Sequence, residues 1–278
     1  MNTMTHNNPH PCIEAVRRIA DHIAENGPAC GSTQSLEQQI AHVRQVSLDA
    51  QRRLREALAP EYPDVGWTDE ADRPASDAYW LYDPIDGAYH YLQGLPLWSS
   101  SLVLVRGGEP VLAVVYDPTR REAFFAEAGT GATCNGAPVQ VSAKTNLSHA
   151  VVATANPPLV QVGAEEQAQA MRLTSRIARS VFVVRAMAAV SLQLAYTAAG
   201  RLDAYWENGR DTADWLAGAL IVREAGGLVT DLRGETFGWA GEGILAGNRE
   251  MHAGLLAQTR DELSRQPRDA RRPARADP

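Results

Sequence analysis

Lysine is almost absent from this sequence. Of 26 basic residues one, Lys144, is a lysine and the rest are arginines. That scarcity excludes whole mechanisms: no GxxxxGK[ST] phosphate loop can be written, and a Schiff-base enzyme would have Lys144 alone to use. Cysteine is nearly as scarce. Cys12, Cys30 and Cys134 are scattered and odd in number, with no CxxC pair and no Cys/His metal spacing. A reducing compartment, the cytoplasm, is the simplest setting. Long apolar runs are missing too, so no membrane span is expected. The first eleven residues lack the cationic-then-apolar pattern of a secretory signal. With a net charge of −7 over 278 residues there is no broad basic surface, which disfavours nucleic acid as a partner. What is there is ordinary for a soluble enzyme: 45% hydrophobic and 21% charged residues, in a chain long enough for one large domain or two smaller ones.

Along the chain, helical spacing covers Ile13 to Asn26 and Ser35 to Leu58. Val65-Gly66-Trp67 reads as a short strand, and Trp80 to Tyr82 as a strand ending there, because Pro84 holds Asp83 extended and breaks the ladder. Ser99–Val105, Val111–Tyr116 and Glu122–Ala126 follow as strands. Gly129 to Gly136 is rich in glycine but ends in Asn-Gly before Val139 and Val141, so a hairpin is the better reading than a nucleotide loop. The second half alternates: strands at 151–154, 181–184, 202–206, 228–231 and 243–246, helices at 165–179, 186–199, 211–225 and 250–263. That alternation implies an α/β layer. The expected organisation is a metal-binding α+β subdomain at 12–147 and an α/β subdomain at 148–264 that completes the active site. Residues 1–11 and the Arg- and Pro-rich tail 265–278 are expected to be disordered.

The stretch Trp80-Leu81-Tyr82-Asp83-Pro84-Ile85-Asp86-Gly87-Ala88 organises the rest. An apolar run ends in two carboxylates three residues apart, followed by Gly87 and the start of a helix. Two readings stand: a polar surface turn, since Asp, Pro and Gly are turn residues, or carboxylates beside free amides that hold a divalent cation and a phosphate. Glu70 after a short strand and Asp214 in the first turn of a helix have similar contexts. Four such acids give all-oxygen ligation, which suits Mg²⁺. For Asp214, stabilisation by the helix dipole is the plainer account. His42, His149 and His252 stand alone, without a second ligand at metal spacing.

Residues 80–87 resemble the signature of the inositol monophosphatase family of lithium-sensitive, Mg²⁺-dependent phosphatases. The second family signature resembles Asp214-Trp215-Leu216-Ala217-Gly218 through Glu224-Ala225-Gly226-Gly227. Gly129–Ala132 with Asn135-Gly136, and Gly200 to Glu207, match between them, and the order is kept over about residues 13–262. The resemblance implies a layered αβαβα sandwich and hydrolysis of a small phosphate monoester by metal-activated water. It implies Glu70, Asp83 and the Ile85 carbonyl around a first Mg²⁺; Asp83, Asp86 and Asp214 around a second; and a third, weaker ion near Glu70, with Li⁺ as an inhibitor. Asp49 matches the helix acid that, with Glu70, serves the attacking water. Asp86, the Gly87 and Ala88 amides, Ala189, Glu207 and Asp214 match substrate-contacting positions. A homodimer is also implied.

The departures are specific. Ala88 stands where the family carries a Thr whose hydroxyl meets the nucleophilic water. Asp69 replaces a Gly, Tyr89 and His90 follow Ala88, and Ala188-Ala189 replace a Gly-Ser or Gly-Thr pair. Three functions follow. One is a phosphatase of an inositol-phosphate-like polyol or sugar phosphate. Another is a same-fold phosphatase for histidinol phosphate, fructose 1,6-bisphosphate or a nucleotide 3′-phosphate. The last is a weakly active member with a binding or regulatory role.

Overall fold

The computed structural model describes residues 10–28, 35–68, 76–156 and 158–264. Cys30, Asp69, Glu70 and the tail 265–278 lie outside the described residues, as do residues 1–9. At the amino end the expectation of disorder fails for the last two positions: His10 caps the first helix through Nδ1 and Pro11 opens it, as a fixed φ without an N–H permits.

Two helices come first, α1 (Pro11–Glu25) and α2 (Leu36–Leu58). Ser35 and Gln38 cap α2 reciprocally, which is why it begins where the sequence indicates. Then β1 (Gly66–Trp67) pairs parallel with β2 (Ala78–Asp86). A five-residue helix, α3 (Ala88–Leu92), leads into an antiparallel meander: β3 (Ser99–Arg106), β4 (Glu109–Asp117), β5 (Glu122–Glu127), β6 (Ala132–Cys134) and β7 (Ala137–Pro138). These seven strands form one sheet in sequence order. The Asn135-Gly136 turn between β6 and β7 has both residues at positive φ, confirming the hairpin. The Gly129 and Gly131 amides just before it both donate to Glu224.

A second sheet of five strands has the order β11-β12-β10-β8-β9. It is built from β8 (Val151–Thr154), a short α4 (Leu159–Val162), α5 (Ala164–Ile177), β9 (Val183–Ala186), α6 (Val190–Ala198), β10 (Ala204–Glu207), α7 (Thr212–Glu224), β11 (Leu228–Thr230), β12 (Ile244–Gly247) and α8 (Arg249–Ser264). The β8–β9 and β8–β10 pairs are parallel and the other two antiparallel.

Alternation along the strands explains the layering. Trp80, Tyr82, Leu102, Leu104, Val114 and Tyr116 face α1 and α2. Their neighbours Tyr79, Leu81, Val103, Val105 and Val115 face α6 and α7, and so do Ala153, Tyr205, Ile244 and Ala246 of the second sheet. The far face of that sheet, with Val152, Trp206 and Leu245, packs on α5 and α8. The result is the expected αβαβα sandwich, with α6 and α7 as a middle layer shared by both sheets. A Cβ on Gly218 of α7 would collide with Leu194 of α6, so that glycine sets how closely the two helices meet. Among the described residues no helix is long and apolar enough to cross a membrane.

Two expected boundaries were wrong by four residues, the others by two at most. Strand β2 does not end at Tyr82 but continues to Asp86. The ladder absorbs Pro84 as an irregularity, with Asp83 opposite Ser101 and Asp86 opposite Ser99, and the Ser100 hydroxyl donates to the Pro84 carbonyl at 2.5 Å. Helix α6 begins at Val190, four residues later than expected, because Val183–Ala186 are held in the sheet beside β8.

Candidate active site

Asp83 and Asp86 leave the end of β2, and Asp214 leaves the first turn of α7. The Asp83 Oδ1 accepts the Ile85 amide at 3.0 Å, a local loop around Pro84 that fixes its rotamer. Asp86 is 6% exposed and is held from three sides. The Val190 amide donates to Oδ1 at 2.9 Å, the Ser191 amide to Oδ2 at 2.7 Å, and the Ser99 hydroxyl to Oδ2 at 3.1 Å. Gly87 turns the chain away at φ +90°, and a Cβ there would lie 2.9 Å from that of Ala189. Ala189 itself is buried at the start of α6. Ala88, the first residue of α3, brings a methyl group where a hydroxyl was the family expectation.

The three acids share one electrostatic neighbourhood. Asp83 and Asp86 are both pushed well above the usual carboxylate range, first by burial, then by charge: that of Asp86 acts on Asp83, and that of Asp214 on Asp86. Asp214 is pushed the same way by its depth among protein atoms and by Asp83 and Asp211. Solvent nevertheless reaches the Asp214 side chain, which is exposed by surface area. It therefore stands at the surface rather than filling a core, and the water it meets tempers the shift.

Glu207 closes the neighbourhood from β10. It is 4% exposed, and its Oε2 accepts both the Tyr205 hydroxyl at 2.6 Å and the Trp215 Nε1 at 2.7 Å. Burial pushes its pKa up to about 8, aided by Asp211 and Asp214.

The chain thus brings together Asp83, Ile85, Asp86, Gly87, Ala88, Ala189, Glu207 and Asp214. Among the described residues, the bonds of Asp49 run to its own helix and not to these residues. Both oxygens of that residue are held by arginines of its own helix, Arg52 at 2.7 Å and Arg53 at 2.6 Å, and they account for its lowered pKa. The plainer reading of Asp49, a solvated helix-face acid, is what the structure shows. Glu70 lies outside the described residues. A surface cavity of about 450 Å³ opens between α1 and α2, lined by Arg18, Ile19, His22, Arg53, Glu56 and Ala57, none of them one of the clustered acids.

Among the described residues, no three acids, histidines or cysteines close into a ready-made metal cage. The donor chemistry still fits a hard cation. Among the described residues, no protein donor meets Asp83 Oδ2, a single amide meets Asp86 Oδ1, and none meets the Asp214 carboxylate. A carboxylate oxygen offers two lone pairs, so oxygen ligands remain from all three residues.

Sequence reasoning missed Ser99, Ser191, Tyr205 and Trp215. One signal was present: Ala189 cannot cap the helix it begins, so the first amides of α6 need an acceptor from elsewhere in the chain.

A profile of the inositol monophosphatase family matches residues 12–265. An inositol-1-monophosphatase of Rhizobium meliloti is 35% identical over 250 residues, covering 87% of this chain and 92% of its own. The Nus factor SuhB of Escherichia coli is 31% identical over 257 residues, covering 91% and 95%. Among solved structures, the extragenic suppressor protein SuhB of Bartonella henselae superposes with a TM-score of 0.76 at 28% identity, covering 90% of this chain and 97% of that one. An IMPase of Thermotoga maritima gives 0.75 at 26% identity, covering 91% and 96%. Sequence order, layered fold and clustered acids all lead to one assignment: the chain belongs to the inositol monophosphatase family.

Proposed function

We propose that this chain hydrolyses a small phosphate monoester, an inositol-phosphate-like polyol or sugar phosphate, with Mg²⁺ held by Asp83, Asp86, Asp214, the Ile85 carbonyl and Glu70. The observation that carries the reading is the convergence of Asp83 and Asp86, from the end of β2, with Asp214, from the first turn of α7, in one electrostatic neighbourhood. Like charges gathered at a strand end and a helix start call for a cation. Bound there, divalent ions would activate water and neutralise charge on the phosphoryl oxygens and the departing alkoxide. The chain's own part is placement. The Gly87 and Ala88 amides open α3 and face a phosphate as helix-start donors. Glu207, with Oε2 already committed to Tyr205 and Trp215, keeps Oε1 to hydrogen-bond a substrate hydroxyl. Ala88 supplies no hydroxyl to orient water, which slows the reaction by about 10- to 100-fold without abolishing it.

A panel of phosphate monoesters, read by phosphate release with and without Mg²⁺, tests the reading. Release that needs Mg²⁺ and falls with Li⁺ is the expected result. No release from any ester at saturating Mg²⁺ would sink it. A second reading is favoured by Ala88 together with relatives named Nus factor: a member that acts chiefly by binding a partner. It gains if neither the native chain nor Ala88→Thr releases phosphate. A homodimer belongs to the same proposal, and light scattering on the purified chain checks it.

A further inference from the structure

The proposed cation site is assembled from two pieces of chain, the end of β2 and the first turn of α7, and α6 sits against both. Its N-cap residue, Ala189, has no side chain to accept its leading amides. Asp86 accepts them instead, from Val190 at 2.9 Å and Ser191 at 2.7 Å. Gly87 permits the approach, since a Cβ there would meet Ala189. Ser191 makes a second bond: its hydroxyl donates to the main-chain carbonyl of Asp214 at 3.1 Å. It is 1% exposed. One residue therefore touches both acid-bearing segments, with its amide on the Asp86 carboxylate and its hydroxyl on the Asp214 backbone. Gln193 braces the same end of the helix, its Nε2 donating to the Met187 carbonyl at 3.0 Å.

We propose that Ser191 is a positioning residue that sets the spacing of the Asp86 and Asp214 carboxylates, and through it the affinity of the site for a divalent cation. The inference rests on the reading of these acids as a cation site. Residues that orient metal-binding carboxylates from behind typically change metal affinity by about 10- to 100-fold when removed. Here the helix amide stays in place when the hydroxyl is deleted, so the lower end of that range applies.

The test is calorimetric titration of Mg²⁺ into the full chain after chelation, for the native protein, Ser191→Ala and Ser191→Thr. Thr197→Ala serves as control: its hydroxyl is buried in the same helix but donates to Gln193, away from the acids. Ser191→Ala is expected to bind Mg²⁺ about tenfold more weakly, with Ser191→Thr restoring affinity and Thr197→Ala leaving it unchanged. Phosphate release should show the loss in the Mg²⁺ requirement, with KM for the ester at saturating Mg²⁺ unchanged. Native affinity in Ser191→Ala, or an equal loss in Thr197→Ala, overturns the proposal. A native chain that binds Mg²⁺ but hydrolyses no ester sinks the hydrolytic reading and leaves the Ser191 result standing; one that binds no Mg²⁺ overturns both.

Discussion

A carboxylate oxygen has two lone pairs, and at Asp86 three of the four are already taken by protein donors. Asp214 is the opposite case, exposed and with no protein donor among the described residues. Losing Asp214 should therefore cost cation binding most directly. Asp214→Asn is expected to cut Mg²⁺-dependent phosphate release by about a thousandfold, the scale of several kcal/mol of charge stabilisation. In chelator above about pH 8, where these acids are ionised, its melting temperature should equal or exceed that of the native chain, because one of three clustered charges is gone. A lower melting temperature would mean that Asp214 supports the fold rather than the chemistry. Ala88→Thr, which restores a hydroxyl at the start of α3, is expected to raise kcat by about 10-fold or more. An unchanged kcat would mean that another group orients the water.

At the scale of elements, the turn between β2 and α3 decides how α6 is seated. Gly87→Ala imposes a side chain at φ +90°, a strain of roughly 1–2 kcal/mol, and drives its Cβ to 2.9 Å from that of Ala189. A lower melting temperature, by about 2–4 °C for each kcal/mol, and a larger loss of activity are expected. Melting and phosphate-release assays on the same preparation check both. This turn also shows where sequence reading stops. Asp83, Pro84, Asp86 and Gly87 announced a special site, and the helix starts of α2 and α7 were legible from Ser35 and Asp211. Proline at 84 argued for a strand ending at Tyr82, yet Ser100 satisfies its carbonyl and the ladder resumes at Asp86. The late start of α6 was hidden because its cap is a residue more than 100 positions away. Asp49 meets the same limit from the other side: a helix acid in a matching context looks the same in sequence whether or not two arginines of its own helix hold it, as Arg52 and Arg53 do here.

For the molecule as a whole, clustered acids make folding depend on pH in a direction opposite to that of salt-bridged proteins. Glu207 titrates near 4.5 when unfolded and at about 8 when folded. Between those values the folded chain keeps a proton that the unfolded chain has lost, so stability falls as pH rises through that window and is flat above it. Asp83, Asp86 and Asp214 push the same way. In chelator, the urea midpoint should drop between about pH 5 and pH 8, with Glu207→Gln flattening the slope by on the order of 2 kcal/mol over the window. A midpoint that rises with pH would contradict the burial of Glu207. Mg²⁺ should restore stability most at the alkaline end, where ionised acids are costliest.

The shared middle layer also has a consequence for synthesis. The sheet made first turns one face toward α1 and α2, which precede it, and the other toward α6 and α7, which begin 63 and 85 residues after the end of its fifth strand. Until they arrive, Tyr79, Leu81, Val103, Val105 and Val115 form a bare adhesive surface on the nascent chain. A fragment truncated before residue 190 keeps that surface permanently, and its fate is precipitation or capture by a chaperone rather than an independent fold.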